Sequence, residues 1–326
     1  MSFISHDLKG GPRFWSTLFM SFSLLSVSVF SVGCGKDAPP EEEPLPVHDY
    51  PSDAVHWKAG EVRYGLENWT EVVVGDMPLV ISVPHGGNVR PEGVPDRTCP
   101  DVTTVRDLNT IELARAISEE FLKTYGKRPY LVINHLARVK VDQNRDIQDA
   151  TCGNPLMMQA WEDYHHFTDS AVSTAATRHG HAIFIDLHGH GHAVQRLELG
   201  YSLTGQELTQ LFGGLNVEAL GAKSSVANWL RMRSEWTLRD VLTGDQAFGT
   251  LMAAGGFPSI PSRDDPYPYA GEAYFNGGYN TRYYTSASYP DVYGWQIECN
   301  NQGVRDNAGN RARFAQVFAR VIEEIQ

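Results

Sequence analysis

Apolar residues recur along the chain at two different periods. In residues 107–126, Leu113, Ile117 and Phe121 fall four apart, which predicts a helix with one buried face, and Gly126 is a natural stop. Residues 155–180 repeat the pattern with Ala160, Tyr164, Phe167 and Ala171. Residues 310–325 do so again with Phe314, Val317, Phe318, Val321 and Ile325. Between these helices lie short, nearly continuous apolar runs that predict strands: "PYLVINHLA", "HAIFIDLH", "RLELGYSL" and "GWQIECN". Near the start, "EVVVGDMPLVISVPH" reads as a β-hairpin turning at Gly75–Asp76, with its second strand ending at His85. Strands alternating with helices predict an α/β fold: a mixed, largely parallel sheet with helices on both faces. In such sheets, sites lie beyond the carboxyl ends of the strands. His85, His188 and Glu298 all stand at or near strand ends.

The first residues do not share this patterning. Lys9 and Arg13 precede a run of uncharged, mostly apolar residues, 14–33, which ends in "SVGC". That is the layout of a secretory signal, and its end resembles a lipobox with Cys34 as the lipid-bearing residue. A plain signal peptide or an uncleaved anchor has the same appearance. All three readings predict an exported chain. The expectation is a lipoprotein-type signal over 1–33, a Pro/Glu-rich tether over 34–54 and one domain over 55–326. The protein is then held on the bacterial cell envelope by its Cys34 lipid, on the periplasmic or outer-membrane face. Four cysteines fit an oxidising compartment: Cys99 and Cys152 lie in polar, turn-like segments and are the plausible pair, while Cys299 sits in an apolar run and reads as buried and free. The formal net charge of −12, without a Lys/Arg cluster, argues against a nucleic-acid partner.

The candidate chemistry concentrates in four segments. "SVPHGG" ends a strand on His85, and its two glycines permit a sharp turn or room for a ligand. "IDLHGHGH" places His188, His190 and His192 at alternate positions, with Asp186 on the same strand face as His188. Asp186 can accept the second N–H of a metal-bound imidazole, or serve as a ligand itself. A catalytic zinc site takes three protein ligands and keeps one position open. Asp107 is the preferred third ligand, with Glu92 and His190 as competitors; Asp107 reads equally well as an ordinary helix N-cap. "ARVKVDQNRD" crowds Arg138, Asn144 and Arg145 near Asp142, which suits an anionic substrate or a plain surface salt-bridge cluster. "GGYNTRYY" follows two glycines with Arg282, and Glu298 sits in "GWQIECN", where an apolar setting makes a carboxylate costly unless it is paired or functional.

Taken in order, "SVPHGG", "ARVKVDQNRD", "IDLHGHG" and "GGYNTRYY" with "GWQIECN" resemble the motifs of the N-formylglutamate amidohydrolase family, over roughly residues 78–306. The resemblance implies a zinc-carboxypeptidase-like α/β fold and amide hydrolysis by water activated on one Zn2+ ion. It implies His85 and His188 as metal ligands and Glu298 as general base. Arg138 would polarise the scissile carbonyl, Asn144 and Arg145 would hold a substrate carboxylate, and Arg282 matches the arginine after the paired glycines. Asn88 stands where an H-x-x-E motif would place a glutamate, so the third ligand stays open. The expected substrate is a small N-acyl amino acid or peptide with a free carboxylate. A metallocarboxypeptidase or cell-wall peptide hydrolase is the near alternative. A surface lipoprotein that binds carboxylates or zinc without catalysis is the alternative of another class.

Overall fold

The computed structural model describes residues 56–326, and the expected leader and tether lie outside them. Eight strands form one sheet: β1 (Val62–Tyr64), β2 (Thr70–Val73), β3 (Leu79–Val83), β4 (Tyr130–Asn134), β5 (Ala182–His190), β6 (Leu197–Gly200), β7 (Ser259–Ile260) and β8 (Val292–Asn300). Their order is β1-β2-β4-β3-β5-β8-β6-β7. The four strands β4, β3, β5 and β8 are mutually parallel, while β2 joins β4 and β6 joins β8 antiparallel.

Side chains alternate across the sheet, so each strand feeds two cores. Ile81, Ile133, Ile183, Ile185 and Leu187 point to one face, where α1 (Thr110–Tyr125) supplies Leu113, Ile117 and Phe121 and α10 (Ala308–Ile325) supplies Phe314, Phe318 and Val321. Val80, Val132 and Phe184 point to the other face, against Tyr164, Val172 and Ala175 of α3 (Pro155–His179). The α/β expectation, with helices on both faces, is met. Asn154 caps the start of α3 through its side-chain oxygen, and Gly180 ends it with a left-handed φ of 77°. Among the described residues no helix is long and apolar enough to cross a membrane.

The expected hairpin does not form. β2 and β3 run antiparallel, but β4 lies between them and pairs with both. The connection therefore passes close beneath the start of β4. A Cβ on Gly75 would lie 2.5 Å from the Tyr130 backbone nitrogen, so only glycine fits. Asp76 then closes the crossing: its backbone N–H donates to the Arg128 carbonyl at 2.9 Å and its carboxylate accepts the Arg128 N–H at 2.6 Å.

The disulfide between Cys99 and Cys152 is present, and Cys299 is buried with a free thiol. Burial pushes that thiol up to about 12, so it is not a nucleophile at neutral pH.

Candidate active site

The site lies at the carboxyl ends of the parallel strands. His85 follows β3 by two residues, and Gly86–Gly87 lead the chain away from it. The space this pair provides is taken by protein rather than by a ligand. A Cβ on Gly87 would lie 2.2 Å from the His135 carbonyl carbon, and one on Gly86 would lie 2.6 Å from the Ile111 side chain. The tight passage lets the chain return so that the Asp107 N–H donates to the His85 carbonyl at 3.1 Å. Asp107 is not the N-cap of α1. That position belongs to Asn109, in a left-handed conformation with φ of 64°, and the Asp107 carboxylate turns inward instead.

There it meets two imidazoles. Asp107 Oδ2 lies 3.4 Å from His85 Nδ1 and 3.2 Å from His188 Nδ1, and the two Nδ1 atoms are 3.1 Å apart. Each ring is anchored through its other nitrogen. His85 Nε2 bonds to Asp142 at 2.6 Å, and His188 Nε2 bonds to Asp186 at 2.8 Å. Asp186 is in turn fixed by Ser82 Oγ at 2.8 Å and Asn280 Nδ2 at 3.3 Å, with the Tyr164 hydroxyl 2.8 Å behind Ser82. Asp186 therefore orients His188 and is not a member of the Asp107 cluster. Glu92 is exposed in the loop after His85 and is a member neither of the cluster nor of the cavity lining.

The electrostatics follow from this crowding. Burial alone would push His188 down, but Asp186, Asp107 and Glu298 hold it well above the ordinary imidazole value. Asp107 and Asp142 are buried, which would raise them, yet their histidine partners, with Arg138 beside Asp142, hold both carboxyls below the usual range. A cation fits the donor set. Ligands of a tetrahedral zinc at ~2.0–2.1 Å stand roughly 3.3 Å apart, close to the three separations here. Carboxylate-anchored imidazoles are also the usual support of a bound metal.

These residues open into a cavity of about 400 Å3 that is also lined by Arg138, Asn144, Arg145, Glu298 and the 275–278 loop. Glu298 is on β8 and pairs in register with His188 on β5. It accepts Gln296 Nε2 at 2.9 Å, and burial pushes it up to about 8, with His188 opposing and Asp107 and Glu198 adding to the rise. Arg138 donates through Nε to Asp142 at 2.9 Å and reaches within 3.9 Å of Asp107 through Nη1. Arg145 is exposed at the rim. Asn144 lies 3.2 Å from His188 Nε2 while its Oδ1 accepts the Asn280 N–H at 2.8 Å, so it ties β5 to α9 (Tyr279–Tyr284). Arg282 is not brought to the cavity: it is exposed on α9, and its Nη1 donates to the Gly277 carbonyl at 3.0 Å.

Two participants were not assigned from sequence. Asp142 stands between two arginines in the sequence, which suggests a salt-bridge partner, whereas in the fold it anchors His85. Glu198, on β6, lies directly opposite Glu298. The alternation in "RLELGYSL" was a visible signal for a strand, but not for its partner.

Fold and site together define an α/β protein with a His–Asp–His donor cluster and a buried glutamate at one end of its central sheet. No family model matches the chain, and no curated protein matches it. Similar solved structures include the crystal structure of N-formylglutamate amidohydrolase from Ralstonia eutropha JMP134, at 14% identity and a TM-score of 0.46, covering 78% of this chain and 98% of that one. A gene product from Agrobacterium tumefaciens is similar at 15% identity and a TM-score of 0.46, covering 81% of this chain and 98% of that one.

Proposed function

We propose that the chain is a zinc-dependent amidohydrolase that cleaves the amide bond of an N-acyl amino acid or short peptide with a free carboxylate. The observation that carries it is the closed set of contacts among His85 Nδ1, His188 Nδ1 and Asp107 Oδ2, each imidazole backed by its own aspartate, with Glu298 one strand away. The order of the four sequence motifs supports the amide as the bond attacked.

His85, Asp107 and His188 would hold a zinc ion, which would supply a Lewis acid to polarise a carbonyl and lower the pKa of water. The charge of that cation would return Glu298 to its ionised form, so that it takes the proton of the attacking water and delivers it to the departing amine. Its position on a rigid strand, held by Gln296, fixes the direction of that transfer. Arg138, oriented by Asp142 and facing the cavity, provides N–H groups toward the oxygen on which negative charge develops. Arg145 at the rim offers a fork for the substrate carboxylate. A separate groove of about 590 Å3, lined by Tyr267, Tyr269 and Tyr274, shares Asn276 with the wall of the cavity. Export and a lipid anchor on Cys34 belong to the same proposal, on the composition of residues 14–34.

The test is metal analysis of the purified protein coupled to a screen of N-acyl amino acids and short peptides for amine release. Stoichiometric zinc, with release abolished by a chelator and restored by Zn2+, is the expected result. Undiminished hydrolysis in metal-free protein, or release that survives in Glu298→Ala, overturns the mechanism.

A further inference from the structure

We propose that His190, His192 and Glu198 form a second divalent-cation site, of zinc type, in the wall of the same cavity. Their donor atoms lie within 4.8 Å of one another and share no residue with the His85–Asp107–His188 cluster. Two imidazoles and one carboxylate are a donor set that suits zinc.

The donors are held as metal ligands are held. His190 Nε2 donates to the Arg196 carbonyl at 2.8 Å, so its Nδ1 is the acceptor nitrogen; Nδ1 accepts the His192 backbone N–H at 3.1 Å, a bond that a cation would displace. Arg196 is itself buried and paired with Asp265 at 2.8 Å and Glu272 at 3.0 Å, so that carbonyl stands on a fixed segment. Glu198 Oε2 accepts the Phe275 N–H at 2.8 Å, which turns Oε1 toward His192 Nδ1 at 2.7 Å. Phe275 stacks on the His192 ring at 4.7 Å and 10°, fixing its plane. His190 and Glu198 are buried, whereas His192 is half-buried at the cavity side.

Charge supplies an independent reason. Glu198 is fully buried, and its bonds go to an imidazole and a neutral backbone N–H. Directly across the β6–β8 pair stands Glu298, also buried. Two carboxylates facing each other in a sheet repel, and burial amplifies the cost. A cation on the Glu198 side relieves that repulsion while leaving Glu298 unligated for proton transfer.

The test uses the purified full chain, stripped of metal and titrated with Zn2+ alone. Bound zinc is counted per chain in the wild type, His192→Ala, Glu198→Gln and His85→Ala, and circular dichroism verifies that each is folded. The expected result is two equivalents in the wild type and one in both His192→Ala and Glu198→Gln. A stoichiometry unchanged by either substitution overturns the site. A folded His192→Ala that loses every equivalent points to a single shared centre and also overturns it. Should Glu198→Gln fail to fold, His192→Ala decides alone, because that ring is half-buried at the cavity. Zinc lost in His192→Ala but kept in His85→Ala supports this site while refuting the metal assignment under the proposed function, so the two failures are distinguishable.

Discussion

His85 and His188 turn their Nδ1 atoms toward each other, 3.1 Å apart, although 103 residues separate them in sequence. The rings meet at 66° with the Asp107 carboxylate against both Nδ1 atoms. Each has its outer nitrogen fixed by a buried aspartate, so neither ring can rotate away. The anchors thus shape the site as much as the donors do.

Asp142→Asn tests this directly. The amide keeps the size of the side chain but no longer stabilises the developing charge on a ligating His85. Zinc affinity is expected to fall ~10–100-fold, the usual effect of removing such an anchor. Competition with a chelator of known affinity measures it. An affinity equal to wild type would show that His85 is not a ligand.

Glu298→Gln separates binding from chemistry. The side chain keeps its shape and its neighbour Gln296, but it can no longer carry a proton. Turnover is expected to drop by ~10²–10⁴, the range for loss of a positioned acid–base group, with zinc content at the His85–Asp107–His188 cluster unchanged. A drop in bound zinc at that cluster in parallel with turnover would reassign Glu298 as a ligand.

Much of this arrangement was legible in the sequence, and the rest was hidden for physical reasons. Periodicity found α1, α3 and α10 because Phe121, Tyr164 and Phe318 repeat at helical spacing on faces that the sheet covers. The rule that sites lie beyond strand ends placed His85, His188 and Glu298 at one end of the sheet. The split of β2 from β3 was illegible, because a hairpin and a pair of strands flanking a third look identical locally. The strand that separates them arrives about fifty residues later. Asp142 was hidden in the same way: Arg138 and Arg145 lie four residues before and three after it, and its bond to His85 depends on how a loop folds back. The pairing of Glu198 with Glu298 is a matter of register between strands a hundred residues apart.

The Cys99–Cys152 disulfide is expected to carry a large share of the stability. It closes a loop spanning a sequence separation of 53, for which the loss of unfolded-chain entropy is about 4 kcal/mol. Arg97, two residues before this loop, braces it from outside: its guanidinium donates to the Arg138 and Asp149 carbonyls, at 2.8 and 3.1 Å. Reduction should therefore lower the melting temperature and loosen Arg138. A Cys99→Ser/Cys152→Ser double variant is expected to melt lower than wild type in the absence of reductant and at the same temperature in its presence. Identical melting without reductant would show that the bridge adds nothing.

Glu71 gives the fold a defined acid sensitivity away from the site. Burial works to raise this carboxyl, but bonds from His135 at 2.8 Å and Arg115 at 2.8 Å outweigh it and hold the group at about 2 rather than 4.5. A carboxyl depressed on folding stabilises the native state above its unfolded pKa, and that contribution is lost as pH falls toward the folded value. The relevant window therefore runs from about 4.5 down to about 2. Partial solvent screening limits the contribution to on the order of 1–2 kcal/mol. Glu71→Gln is expected to lower the urea midpoint at pH 7, with the gap to wild type closing as pH falls through that window. Urea unfolding of both proteins at pH 7, 5 and 3 measures it. A gap that stays constant to pH 3 would show that the effect of Glu71 lies in packing rather than in its charge.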